Sequence, residues 1–595
     1  MGIRLTIILT LLLPCALTAQ DFERRSPLRY PTLRGNIRAE VHMLPPVSTG
    51  PMSPTWSPDG AWIAFAMAGD IWRVRVGGGP AEQLTEGPEY HFEPSWDPTG
   101  RSIAMTVARD AGLDIALLDL ENGTKKLLVN NEGVDAQPTW GPDGRYVYFT
   151  TDEAGTLDVR RVDVGTGVQE DMATGRGNQI QPSVSPEGVL AYVGPAPGVS
   201  GGGGLWRKPV AGGPNVLIRA EETAYRARPS WLPDGERLVY VSDDAGSNDL
   251  ALISAEGGNV LRLSGSGGHE LTPSVSPDGR WIAFVSNAAG TSTLHTMASG
   301  GAPRRDWNSY DLGDRVYRSP MGRLSGRVVG PDGNMVAARV SVVASDGRAY
   351  SPRNAFHKVL SPTETHFFRT TGAFDVDVPA GHVTVTVRKG LEWKTASTTA
   401  AVGETQDGLI EIQLARLVDA AERGWVGGDT HTHDLHQGRV DLTHEAFFEQ
   451  LVAEDLAVSI ALIHMDGTRL MGRWADLTGE PSPLSTREHR LQYAQEFRGS
   501  FGHVGLLGVR EFVTPLIGGA TNTPFAADVL NATYLEAARS QGGIGGFMHP
   551  FNGPVATPED VAASEIPVDL ALGAGEFYDV ICFWYDELNN AEVYY

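Results

Sequence analysis

The stretch Pro54-Thr55-Trp56-Ser57-Pro58-Asp59-Gly60 decides the fold of the first half of this chain, because it returns five more times. Residues 94–100 read PSWDPTG, 138–144 PTWGPDG, 182–188 PSVSPEG, 229–235 PSWLPDG and 273–279 PSVSPDG. The first prolines stand 40, 44, 44, 47 and 44 residues apart. In each copy a short strand runs into a Pro-Asp-Gly-type turn, where Pro presets φ and Gly takes the left-handed position. An apolar strand follows, as in Trp62-Ile63-Ala64-Phe65 and Trp281-Ile282-Ala283-Phe284, and then a third such as Asp70-Ile71-Trp72-Arg73-Val74. A repeat of that length with roughly four strands is one propeller blade. Six blades close a ring that removes exposed sheet edges.

The recurring S-x-S-P-D-G phrase ahead of an apolar strand resembles the TolB-type β-propeller, and the resemblance assigns residues 36–318 to a six-bladed propeller. The fourth copy departs most: Glu187 replaces Asp, and Gly201 to Gly204 read as a loop. Propellers host both binding and catalysis, so this fold leaves function open. His91 and His269, just before repeat phrases, read as structural or surface residues.

Beyond the propeller the pattern changes. Residues 324–329, 338–343, 374–378 and 383–387 alternate apolar and polar at period two, with a turn such as Gly330-Pro331-Asp332-Gly333 between them. This predicts a small antiparallel sandwich over 320–417. It resembles carboxypeptidase-regulatory or transthyretin-like modules, and no cluster of nucleophiles or metal ligands marks it as a site.

Chemistry-bearing residues concentrate after residue 418. Trp425-Val426-Gly427-Gly428-Asp429-Thr430-His431-Thr432-His433 places two imidazoles one residue apart, which share a face of an extended strand. Two such imidazoles begin a divalent-metal site. Helices are expected after Thr443 and over 486–497 and 526–540, and strands over 458–463, 503–509, 544–549 and 578–583. Alternating strands and helices predict a parallel α/β barrel, whose chemistry gathers at the carboxyl ends of its strands. His431, His433, His464 and His549 all fall at strand ends.

The Gly428-Asp429-Thr430-His431-Thr432-His433 segment resembles the opening motif of the PHP (polymerase and histidinol phosphatase) metallohydrolases, and more closely their secreted CehA/McbA-type branch. The resemblance implies His431 and His433 as metal ligands. An acidic residue shortly before Gly-His is matched by Glu496 ahead of Gly502-His503, which implies Glu496 as a ligand bridging two ions and gives Glu496 and His503 catalytic roles. The family's His-Pro is matched by His549-Pro550. Where the family carries Thr-Asp-His, this chain reads Ile463-His464-Met465-Asp466, with His464 or Asp466 as the substitute ligand. The family's late Gly-[Ser/Thr]-Asp-x-His element has no counterpart before Tyr595, so the barrel over 418–595 is expected to be C-terminally incomplete. Asp429 is expected to orient a ligand imidazole by accepting its second ring N–H. Asp434 and His436 read as outer or surface groups, and His444 as a surface residue.

Composition bounds the rest. With 41% hydrophobic and 20% charged residues the chain is globular, and 595 residues call for several domains. A net charge of −24 without a basic stripe excludes nucleic acid as the main partner. Arg4, the apolar Leu5 to Leu13 and the small residues Ala16 to Ala19 read as a secretory signal over 1–19, too short to span a bilayer. Lipidation at Cys15 is disfavoured by Pro14 before it. Removal of that signal leaves only Cys582, so no intramolecular disulfide is expected, and its apolar surroundings mark a structural thiol. These features together predict a secreted or periplasmic metal-dependent hydrolase with one or two zinc, manganese or iron ions. It would act on a small-molecule or peptide-like ester, amide or phosphoester, and the propeller could hold a protein partner. The competing reading is a non-catalytic cell-envelope scaffold that binds through the propeller and carries a degenerate barrel.

Overall fold

The computed structural model describes residues 50–579, apart from 110–111, 132, 176, 198–203, 222–226, 243–247, 267, 290–291, 354, 361–364, 405–406, 435–442, 467–468, 500, 517–528 and 550–564. The expected signal at 1–19, Cys582, Pro550 and His436 lie outside the described residues, as does the side chain of Asp466.

Each repeat proline does two things to its strand. Lacking an N–H, it cannot continue the ladder, and a register shift falls at this point in the blades, as between Met52 and Thr55 or Phe92 and Ser95. The residue before it swings to positive φ: Ser53, Glu93, Gln137, Gln181, Arg228 and Thr272 lie at φ between 41° and 59°. That turn points the backbone N–H at the neighbouring blade. Thr272 Oγ1 accepts from Ser53 N–H, Glu93 Oε2 from Gln137, Gln137 Oε1 from Gln181, and Gln181 Oε1 from Arg228, at 2.8 to 3.2 Å. The phrase is thus a blade-to-blade connector as well as a turn. Trp56 Nε1 donates to Ser274 O and joins the first blade to the last.

Six four-stranded antiparallel sheets result, spanning 52–83, 90–129, 135–173, 180–220, 230–262 and 270–309. A fifth strand, Arg315–Val316, pairs parallel with Ala81–Gln83 and adds to the first sheet as the chain leaves the ring. The N-terminal region is therefore all-β and propeller-like. His91 is buried in it, between Asp70 Oδ1 and Lys125 Nζ, and has a structural place.

Buried carboxylates at the blade junctions give this ring a pH dependence. Burial, reinforced by the charges of Asp114 and Asp152, pushes Asp135 up to about 7. The folded state then keeps a proton that the unfolded chain releases near pH 4, so the contribution to stability falls as pH rises between those values. The slope is at most about 1.4 kcal/mol per pH unit. Asp135→Asn should remove this slope and raise the thermal midpoint at pH 8 but not at pH 4. An unchanged midpoint at pH 8 would refute it.

Residues 321–413 build two facing sheets, one of Ala373–Pro379, Met321–Val329 and Gly408–Gln413, the other centred on Ala338–Val343 and Gly381–Arg388. Val340, Val342, Val376, Val378, Val383, Val385 and Val387 all point into the shared core, as period two requires.

The last unit holds a seven-stranded sheet, a half barrel, with little helix. Its strands are β1 (Gly428–Thr432), β2 (Val458–Asp466), β3 (Arg469–Met471), β4 (Arg490–Gly499), β5 (Gly502–Leu507), β6 (Ile544–Met548) and β7 (Phe577–Tyr578). The order is β1-β2-β4-β5-β6-β7, with β3 folded back on β2. Helices α1 (His444–Ala453), α2 (Asn531–Ser540) and α3 (Ile566–Ala571) accompany it. Thr443 caps α1 by accepting from Ala446 N–H at 3.2 Å.

Two expectations are corrected here. The helix expected over 486–497 is strand β4. Leu491, Tyr493 and Phe497 enter one core while Ala494 faces the other, which is period two, and parallel pairing with β2 stabilises it. Nor do strands and helices alternate throughout: β5 begins three residues after the last residue of β4 and runs antiparallel to both β4 and β6. The parallel α/β barrel is replaced among the described residues by this mixed half barrel. No described helix is long and apolar enough to cross a membrane.

The sandwich grips the end of α1. Arg339 and Arg369 both bond Glu454, and Trp393 Nε1 donates to Asp455 at 2.7 Å. This fixes the entry to β2, one of the strands that carries the site.

Candidate metal centre

Because β5 alone in the main path runs opposite, the carboxyl ends of β1, β2, β4, β6 and β7 and the start of β5 share one edge. His431 and His433 come from the end of β1, His464 and Glu496 from the ends of β2 and β4, His503 from the start of β5 and His549 from the residue after β6. Residues up to 148 apart in sequence, His431 and Asp579, meet there.

Glu496 is the centre. It is 0% exposed, and each oxygen faces a different set of imidazoles. Oε2 lies 3.5 Å from His433 Nε2 and 4.0 Å from His464 Nδ1. Oε1 lies 2.9 Å from His503 Nδ1 and 3.7 Å from His549 Nε2. Two triads follow, His431/His433/Glu496 and Glu496/His503/His549, each with one donor atom per residue and all within 4.8 Å of one another. Glu496 belongs to both. His464 stands beside them, fully buried with its ring 4.7 Å from that of His433, but in neither triad.

The imidazoles are oriented from behind. His431 Nδ1 meets Asp579 Oδ2 at 2.7 Å, and His433 Nδ1 meets the Leu462 carbonyl at 2.9 Å, which leaves each Nε2 for the centre. Asp579 Oδ2 also accepts the His549 backbone N–H at 3.2 Å. His549 sits at φ +30°, a rare conformation for a residue with a Cβ and one that concentrates at functional sites. Asp429 has a different place from the one expected: it accepts the backbone N–H of His431 at 2.9 Å, and Asp579 takes the ring. Asp434 is buried and accepts from Tyr493 Oη at 3.0 Å. His444 reaches Ser482 Oγ at 3.1 Å, away from the triads.

Electrostatics match this arrangement. Burial would raise Glu496, but the Arg498 guanidinium and the bonds from His503 and His549 hold it well below the usual carboxylate range. Burial pushes His503 down to about 4, outweighing the pull of Glu496, so its imidazole is neutral. Burial also acts to lower His431, yet Asp579 and Glu496 together raise it. Burial raises Asp429. An ionised carboxylate among nitrogen donors, with no thiolate, fits a divalent ion of intermediate softness.

Two residues of the centre were not singled out from sequence. Asp579 is an acidic residue directly after the short strand β7, and that position at a strand's carboxyl end was the available signal. Arg498 stands two residues from Glu496 on β4, and its direction became visible only once β4 proved to be a strand.

A family model described as the TolB beta propeller domain matches residues 40–195. No curated protein matches the chain. Among solved structures, TolB from Acinetobacter baumannii is 24% identical over 35% of this chain and 52% of its own, with a TM-score of 0.32, so this chain spans about half of that relative. The tricorn protease is 16% identical over 59% of this chain and 34% of its own, TM-score 0.37. An oligogalacturonate lyase in complex with manganese is 14% identical over 42% of this chain and 76% of its own, TM-score 0.33. The matched family model and the sixfold repeat agree that the N-terminal region is a TolB-type β-propeller, and the metal-type residues lie outside the stretch that model matches.

Proposed function

We propose that this chain is an exported metal-dependent hydrolase whose chemistry resides in the half barrel. One observation carries the reading: Glu496 is shared by two His-containing triads at the carboxyl edge of one sheet. Bound divalent ions would supply a water of lowered pKa and polarise the scissile carbonyl or phosphoryl group. Nitrogen and oxygen donors suit zinc, manganese or iron. His431, His433 and Glu496 would hold one ion, and Glu496, His503 and His549 the other. Asp579 keeps His431 Nδ1 and the His549 backbone in place, and the Leu462 carbonyl does the same for His433. His464 supports the ring of His433 from its buried side. Residues 1–19 would direct export, and the propeller would present substrate or a protein partner to the half barrel.

Elemental analysis of the purified chain beside a His431→Ala/His433→Ala variant tests this. One or two transition-metal equivalents in the parent, with fewer in the variant, are expected, together with loss of ester, amide or phosphoester hydrolysis. A well-folded parent without metal would overturn the reading and leave the propeller as a binding scaffold.

A further inference from the structure

We infer that Arg498 is a positioning residue of this centre, whose guanidinium fixes the carboxylate plane of Glu496 so that one oxygen serves each triad. The inference rests on the metal-centre reading above and deepens it. Glu496 and Arg498 are two apart on β4 and therefore project from the same face. Arg498 Nε donates to Oε1 at 3.2 Å and Nη2 to Oε2 at 3.2 Å, a two-pronged grip. Oε1 is the oxygen facing His503 and His549, and Oε2 the one facing His433.

The grip matters because the terminal torsion of Glu is broad and roughly two-fold, so the carboxylate has little intrinsic preference for one plane. Rotation about that torsion would carry both oxygens away from their imidazoles at once. A carboxylate offers about four lone-pair sites over its two oxygens. The guanidinium uses one on each; the second site on Oε2 is left toward His433, and the second on Oε1 is the one that His503 Nδ1 meets at 2.9 Å. Arg498 also sits opposite His503 in the β4–β5 register, so the same pairing that places the His places the grip. Lys in its place would keep the charge and lose the planar fork.

The test is calorimetric titration of the full chain, freed of metal by chelation, with zinc and with manganese. Arg498→Met, Arg498→Lys and His431→Ala/His433→Ala run alongside, with circular dichroism as the folding control. Arg498→Met should weaken metal binding about 10- to 100-fold, the usual cost of losing a group that orients a ligand. Arg498→Lys should fall between it and the parent. Unchanged or tighter binding in a folded Arg498→Met would overturn the inference, since Arg498 would then be an indifferent or competing charge. Should Arg498→Met fail to fold, Arg498→Lys decides: parental affinity overturns the inference, and weakened affinity supports it. A parent that binds neither ion removes the metal-centre reading and this inference together, whereas a parent that binds, with the double-His variant impaired and both Arg498 variants normal, removes this inference alone.

Discussion

Glu496→Ala should strip the chain of every bound metal equivalent, while His431→Ala and His503→Ala should each cost no more than one. The asymmetry follows from geometry. Each imidazole serves one triad, but the Glu496 carboxylate serves both, with Oε2 toward His433 and Oε1 toward His503. It is also the fully buried charge against which the neighbouring imidazoles and Arg498 are arranged. Its loss leaves the Arg498 guanidinium, two residues away on β4, as an uncompensated positive charge that repels a cation. The fall in hydrolysis should exceed the roughly 10- to 100-fold typical of losing an outer orienting group. Metal content of the dialysed variants, with circular dichroism to confirm folding, reads the result. Retention of one equivalent in Glu496→Ala would show that the triads are independent and that Glu496 is not shared.

Asp70→Ala should lower the thermal midpoint by about 10 °C. Asp70 and Arg348 form a salt bridge at 2.9 Å with side chains 5% and 1% exposed, and it joins the first propeller blade to the sandwich. Asp70 also accepts from Thr85 and Gln83 and meets His91, and Arg348 donates to the carbonyls of Gly87 and Ala68. Gly69, at φ +84°, leaves the space that the guanidinium enters; a Cβ there would collide with it. Removing one member strands a buried charge, which costs about 3–5 kcal/mol and shifts a domain of this size by roughly 2–4 °C per kcal/mol. Replacing both members by apolar residues, as in Asp70→Ala/Arg348→Met, should recover much of the loss, because no charge is then left unpaired. A single-variant midpoint within 1 °C of the parent would refute the assignment. Burial acts to raise Asp70, but Arg348 and His91 hold it below its ordinary value. The contribution of this pair is therefore present at neutral pH and lost on acidification, opposite in sign to that of Asp135.

The propeller was legible because its signal is local and repeated. Pro, Asp and Gly act on their own φ and ψ, and six recurrences leave little alternative to a closed ring of small antiparallel sheets. The His431-Thr432-His433 pair was legible for the same reason: period two on a strand needs no tertiary information. The segment over 486–497 was not. Leu491, Tyr493 and Phe497 satisfy a strand's period, while Glu488, Gln492 and Gln495 give the same stretch the look of a polar-faced helix, and only pairing with β2 chose between them. That choice moved Glu496 from an expected helix face to the buried centre of the sheet edge. Asp579 could not be placed from sequence, since its partner His431 lies 148 residues away.

What the sequence determined by itself is the repeat, its turns and the identity of most metal-type side chains, because these depend on residues within a few positions of one another. What only the tertiary structure decided is which of those side chains converge. The antiparallel β5 brings His503 to the same edge as Glu496, the return of β7 brings Asp579 behind His431, and β2 leaves His464 beside the triads rather than in them. Register and strand direction between distant segments set those distances, and they are fixed by burial on both faces of the sheet rather than by any local run of residues.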